Sequence, residues 1–147
     1  MSQTILIVED EQSDVLLLRL ALQKVGVANP MQVVTTGREA LEYLEGAGKF
    51  SQRAEFPLPF LVLLDLKLPY VMGLEVLKWM RQKAGFKSTI VIAFSSSKEG
   101  RDVVAAYEAG ANAYLVKPPS VEKRLVMAQA IKDFWLTHNQ SAPELGK

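Results

Sequence analysis

The 147-residue chain has no cysteine, which excludes disulfides, thiol catalysis and thiolate metal sites, and suits a reducing compartment. Histidine occurs once, as His138, in polar sequence near the end of the last helical segment, and reads as a surface residue rather than a catalytic one. No apolar run approaches the ~18 residues a membrane span needs. The opening "MSQTILIVEDE" has four consecutive apolar residues and no basic lead, so no secretory leader is expected. Net charge is +1 with Lys and Arg scattered, which argues against a nucleic-acid footprint or a membrane-binding stripe. No Gly-x-Gly-x-x-Gly or phosphate-binding Lys loop follows the first strand. What remains is a globular composition, 49% hydrophobic and 22% charged. The expectation is a single cytoplasmic domain over 1–147, with a core over about 4–137 and a polar tail over 138–147.

What is present is a regular alternation. Ile5–Val8 is followed by Val15, Leu18, Leu22 and Val25 at helical spacing, with Gly26 as the stop. Residues 31–35 precede a segment with Ala40, Leu41 and Leu44 on one face. Residues 60–64 precede a helix over 73–83, residues 89–94 precede "KEGRDVVAAYEAG", and Ala113–Val116 precedes a helix over 120–136. The short runs are apolar on both faces, the mark of a parallel sheet covered on both sides. Five strands alternating with five helices predict a doubly wound α/β fold with right-handed crossovers. Residues 46–59 form a connection long for such a unit, and long loops tend to be mobile or functional. Trp79, at helical spacing with Val76, reads as packing.

In an open parallel sheet the site lies beyond the carboxyl ends of the strands. Strand one ends on Glu9-Asp10-Glu11, strand three on Asp65, strand four on Ser95-Ser96-Ser97 and strand five on Lys117-Pro118. If these strands are neighbours, acids, a hydroxyl and an ammonium meet in one crevice. Two carboxylates within ~4 Å repel by roughly 4 kcal/mol at an effective dielectric of 20, so they need a shared proton or a cation. Oxygen-only donors favour Mg²⁺. A carboxylate also serves as a nucleophile that forms an aspartyl-phosphate. The set reads as phosphoryl transfer onto Asp65, with Lys117 offsetting charge and Ser95 donating to a phosphoryl oxygen. Plainer roles stand beside these: Asp10 and Ser13 as caps of the first helix, Asp65 as a cap of the third, Lys117 as a solvated strand end, the serines as loop.

With these residues placed, "ILIVEDE", "LVLLDLKLP" with Gly73 beyond, "IAFSSSKE" and "ANAYLVKP" resemble the receiver domain of two-component response regulators, over nearly the whole chain. The resemblance implies a flavodoxin-like sheet of strand order 2-1-3-4-5. It implies Glu9 and Asp10 as metal-side acids, and Asp65 as phosphoacceptor and metal ligand, taking its phosphoryl group from a histidine kinase. It also implies the backbone carbonyl of Lys67 as a further Mg²⁺ ligand, Ser95 and Tyr114 as switch residues, and Lys117 as the phosphoryl-pairing lysine. Lys-Pro bonds at this place in the family are typically cis, so a cis Lys117–Pro118 bond is expected. The long loop before strand three, "SSSK", and the terminal "IKDFWL" are similar to small stand-alone regulators paired with phytochrome-type histidine kinases. Two departures stand out: Lys67 sits two positions after the acceptor, where a small polar residue is common, and Tyr70-Val71-Met72 replace an acidic-containing loop.

Phosphorylation adds about −1.5 to −2 charges. By the resemblance, Ser95 moves toward them and Tyr114 fills the vacated space, changing the face made by helix four, strand five and helix five. On helix five, Val121, Leu125, Ala128, Ile131 and Trp135 form the expected core stripe, widened by Met127 and Phe134; the excess suits a broadly buried helix or a homodimer contact. Three rival readings stand. A Mg²⁺-dependent phosphatase using an Asp nucleophile needs a second acid where Lys67 stands. A nucleotide-binding domain lacks its phosphate loop, and a degenerate receiver would act as an interaction module alone.

Overall fold

Along each strand, alternate side chains face opposite sides of one sheet, and helices roof both sides. The computed structural model describes residues 3–143. The last positions of the expected polar tail, 144–147, lie outside the described residues. β1 (Ile5–Val8), β2 (Met31–Val34), β3 (Leu61–Leu64), β4 (Ile90–Ser95) and β5 (Ala113–Val116) form a parallel sheet ordered β2-β1-β3-β4-β5. In its register Ile5 lies between Met31 and Leu61. The helices are α1 (Gln12–Lys24), α2 (Gly37–Glu45), α3 (Gly73–Gln82), α4 (Gly100–Ala109) and α5 (Val121–Ala130).

Leu6, Val8, Val62, Leu64, Val91 and Ala93 share one core with the inward faces of α2, α3 and α4. Ile5, Ile7, Leu61, Leu63, Ile90 and Ile92 share the other with α1 and α5. This is the doubly wound arrangement that the two-sided apolar runs predict. Each buried Leu, Ile or Val contributes roughly 1.5–3 kcal/mol on leaving water. That burial holds the carboxyl ends of the strands in fixed register.

Local chemistry sets the element ends. β2 stops at Val34 because the next backbone N–H, that of Thr35, donates to the Glu39 carboxylate (2.8 Å) while Thr36 Oγ1 accepts from Glu39 N–H (3.0 Å). This reciprocal cap starts α2. β4 runs one residue past expectation, to Ser95. Gly26 (φ 92°) ends α1 as predicted, and its N–H donates to the Gln23 carbonyl. Neither Asp10 nor Ser13 caps α1, whose N-cap is Glu11 without a side-chain bond.

Three expectations need correction. The loop over 46–59 is a packed prop. Its Phe50 and Phe56 rings cluster with Tyr43 at 5.1–6.0 Å. Arg53 donates to the carbonyls of Tyr43 and Leu44 in the last turn of α2 and to that of Phe56 in the loop, tying the two together. The Lys117–Pro118 bond is trans, like every peptide bond among the described residues. Trans is the lower form by about 0.5–1 kcal/mol, and the chain leaves β5 extended, with Lys117 N–H on the Ser95 carbonyl. The last helix changes pitch, α5 giving way to a π-helix over Ile131–His138. Ala128 and Ile131 are buried and Trp135 packs against them, as expected, but Val121 and Phe134 are exposed. Val121 is the first residue of α5 and lines an open groove with Leu17 and Ala21 of α1, which leaves it exposed. His138 is exposed and Trp79 packs beside Phe86, both as read from sequence.

Candidate functional site

The sheet order reverses between β1 and β3, so the crevice opens over their carboxyl ends. Backbone bonds fix the side chains that line it. Glu9 N–H donates to the Val34 carbonyl, Asp65 N–H to that of Val8, and Lys117 N–H to that of Ser95. Glu9 is 3% exposed, Asp65 6% and Ser95 1%, while Asp10 faces solvent.

Lys117 Nζ occupies the middle. It donates to Glu9 Oε1 at 2.6 Å, Asp14 Oδ2 at 3.0 Å and Asp65 Oδ2 at 3.1 Å. It also sits 5.7 Å from the Phe94 ring centroid. Burial pushes Glu9 up to about 7, and its hydrogen bond to Asp65 pushes the same way against the pull of Lys117. Burial acts to lower the Lys117 ammonium, but its bonds to Glu9 and Asp14 and the Asp65 charge outweigh this and hold it above the ordinary lysine value. The crevice therefore holds more negative charge than one lysine can balance.

Glu9, Asp10 and Asp65 each offer a carboxylate oxygen within 4.8 Å of the others. Three hard oxygen donors without nitrogen or sulfur fit a divalent cation such as Mg²⁺ or Mn²⁺. Asp65 does not cap α3, whose N-cap is Met72. Its Oδ1 accepts the Lys67 N–H at 3.0 Å. Lys67 meets Asp65 through its backbone; its side chain is exposed, and among the described residues the ion pair of Asp65 is with Lys117.

The turn after Asp65 is tight. A Cβ on Gly73 would lie 2.3 Å from the Asp65 carbonyl oxygen, so only glycine lets α3 start this close to the site. Tyr70, 88% exposed, takes a left-handed φ of 69° at the crevice rim.

Ser95 Oγ accepts from Ser97 N–H at 3.1 Å, and the Ser97 carbonyl accepts from the Tyr114 hydroxyl at 2.9 Å. The Ser97 hydroxyl bonds to Asp102 on α4. Ser95, Tyr114 and the start of α4 are thus joined through one residue. The structure brings Glu9, Asp10, Asp65 and Lys117 together, with Ser95 at the adjoining strand end. Sequence reasoning missed Asp14. The available signal was an acid in the first turn of α1, four residues beyond Asp10.

An acidic, lysine-bridged crevice thus lies at the switch point of a 2-1-3-4-5 parallel sheet, where doubly wound α/β proteins place their sites. The profile of the response regulator receiver domain matches residues 5–129, and the chain belongs to that family, the receivers of two-component signalling. It is 33% identical over 134 residues to response regulator Rcp1 of Synechocystis, covering 91% of this chain and 89% of that protein. The Mn²⁺-bound structure of Rcp1 superposes with a TM-score of 0.86 at 31% identity, over 96% of this chain and 99% of that one. The bacteriophytochrome response regulator RtBRR is 43% identical, with a TM-score of 0.77, covering 98% of this chain and 86% of that one. The phosphorylated cyanobacterial phytochrome response regulator RcpA matches with a TM-score of 0.88 at 29% identity, over 97% and 100% of the two chains. The fold is the five-stranded, five-helix, flavodoxin-like receiver fold of these regulators.

Proposed function

We propose that this chain is a stand-alone, cytoplasmic response regulator that takes a phosphoryl group from a histidine kinase of phytochrome type onto Asp65. The observation that carries the reading is Lys117 Nζ bridging Asp65 and Glu9 at the mouth of a metal-competent acidic cluster. Glu9, Asp10, Asp65 and the Lys67 carbonyl would hold Mg²⁺, which supplies positive charge against the developing phosphoryl oxygens. An Asp65 oxygen attacks phosphorus, and the phosphorus–nitrogen bond to the donor imidazole breaks with its electron pair returning to nitrogen. Lys117 passes from the Asp65 carboxylate to a phosphoryl oxygen, and the Ser95 hydroxyl turns to donate to another. That turn gives up the Ser97 N–H and disturbs the carbonyl that holds Tyr114. Ser95 and Tyr114 thereby carry the change to α4, β5 and α5. Val104 and Tyr107 on α4 and Val126 on α5 are exposed apolar side chains, which supports this face as the readout or homodimer surface.

Incubation with a radiolabelled, phosphorylated phytochrome-type kinase and Mg²⁺ should move the label to this chain within minutes, and EDTA should stop it. No uptake from any kinase or from acetyl phosphate would leave the interaction-module reading instead. The site also sets a pH dependence. Between the ordinary carboxylate value of 4.5 and about 7, Glu9 keeps a proton in the folded, metal-free chain that the unfolded chain has lost. Its contribution to stability is therefore full below 4.5 and is lost as pH rises toward 7. Mg²⁺ must displace that proton, so its affinity should rise by up to roughly tenfold per pH unit below 7 and level off above it. Calorimetric titrations in buffers of different ionisation heat read the proton release; a flat profile from pH 5.5 to 8 would contradict it.

A further inference from the structure

Lys117 Nζ has three carboxylate partners from three elements: Glu9 after β1, Asp65 after β3 and Asp14 in the first turn of α1. An ammonium has three donors, so all are committed. Glu9 and Asp65 also belong to the acidic cluster that fits a metal ion, whereas Asp14 does not. A metal ion therefore competes with the lysine for two of its partners and leaves the third untouched. We propose that Asp14 is a positioning residue for Lys117, anchoring its ammonium on the α1 side of the crevice while Glu9 and Asp65 turn to the metal. This rests on the reading of Lys117 as the lysine that pairs with the phosphoryl group.

The geometry suits an anchor. The Asp14 side chain is 34% exposed, so it adds a cation partner at the crevice edge with little burial of its own charge. Without it, the ammonium has only Glu9 and Asp65 to pair with, the two groups the metal needs. Lys117 would then oppose metal entry and be less well placed for a phosphoryl oxygen.

Removing a negative charge by itself should favour an anion in the crevice; removing an anchor should disfavour it. The test is calorimetric binding of Mg²⁺, and of beryllofluoride with saturating Mg²⁺, to the wild type and to Asp14→Asn, Asp14→Glu and Glu11→Gln. Glu11→Gln removes the same charge from an exposed acid beside the site. Asp14→Asn should weaken both ligands by about threefold, the size expected of a partly exposed pair. Asp14→Glu should restore much of the loss, and Glu11→Gln should not weaken beryllofluoride. Beryllofluoride binding that is unchanged or tighter in Asp14→Asn overturns the proposal. Should Asp14→Asn fail to fold, the wild type still decides: its Lys117 ammonium ¹H–¹⁵N resonance should stay protected from water exchange when Mg²⁺ is added. An ammonium exchanging as freely as a surface lysine also overturns it. If Lys117→Met binds beryllofluoride like the wild type, the underlying reading of Lys117 fails instead, whatever Asp14 does.

Discussion

Asp65→Asn should abolish phosphoryl uptake from both a histidine kinase and acetyl phosphate, read on a phosphate-affinity gel, while Glu108→Gln on α4 leaves it intact. An amide oxygen is a poor nucleophile, so the substitution removes the acceptor itself. The same substitution should stabilise the metal-free protein. It removes one of three carboxylates sharing a 4.8 Å cluster, while Lys117 keeps Glu9 and Asp14 as partners. Relief of repulsion is expected to add about 1 kcal/mol, or ~3 °C in Tm. Glu9 should also titrate below its wild-type value of about 7, because a hydrogen bond to Asp65 helps hold it there. Activity lost with stability gained is the pattern of a strained functional site. Labelling that survives Asp65→Asn would sink the assignment.

Lys117→Met should have the second-largest effect and the opposite sign in stability. It leaves Glu9, Asp14 and Asp65 without the ammonium that bridges them. Breaking a buried pair costs about 3–5 kcal/mol, but Asp14 is partly open to solvent and Glu9 can take a proton, so about 2 kcal/mol is expected at pH 8. The loss should shrink toward pH 5, as protonation does the work of the missing cation. Mg²⁺ should bind more tightly and restore stability, while phosphoryl uptake falls by roughly 100-fold or more for want of charge on the transferred group. Urea midpoints at the two pH values with and without Mg²⁺ provide the check. Equal midpoints at pH 5 and 8 would mean that the lysine is not balancing the acids.

Much of this arrangement is legible in the chain. A strand buried on both faces is written as an unbroken apolar run, and its last residue announces itself where the run stops, as at Glu9 and Asp65. A helix after each strand forces right-handed crossovers, and these bring the strand ends to one edge. Less legible were the 46–59 connection and the end of α5. Arg53 reads as one more surface charge until its guanidinium is seen closing three carbonyls. The π-helical turn over Ile131–His138 leaves no mark in a pattern of period 3.6.

The sequence by itself determined the sheet, its helices and the acids, hydroxyl and lysine at one edge, because each depends on local period and on chain direction. Only the tertiary structure decided that Lys117 rests on Asp14, 103 residues away, and that the Lys67 side chain stands clear of Asp65. It also decided that Ser97 links Ser95 to Tyr114. Such pairings depend on how far a helix is rotated about its own axis and where a loop closes. Those are set by the packing of the whole core, and no short stretch of chain encodes them.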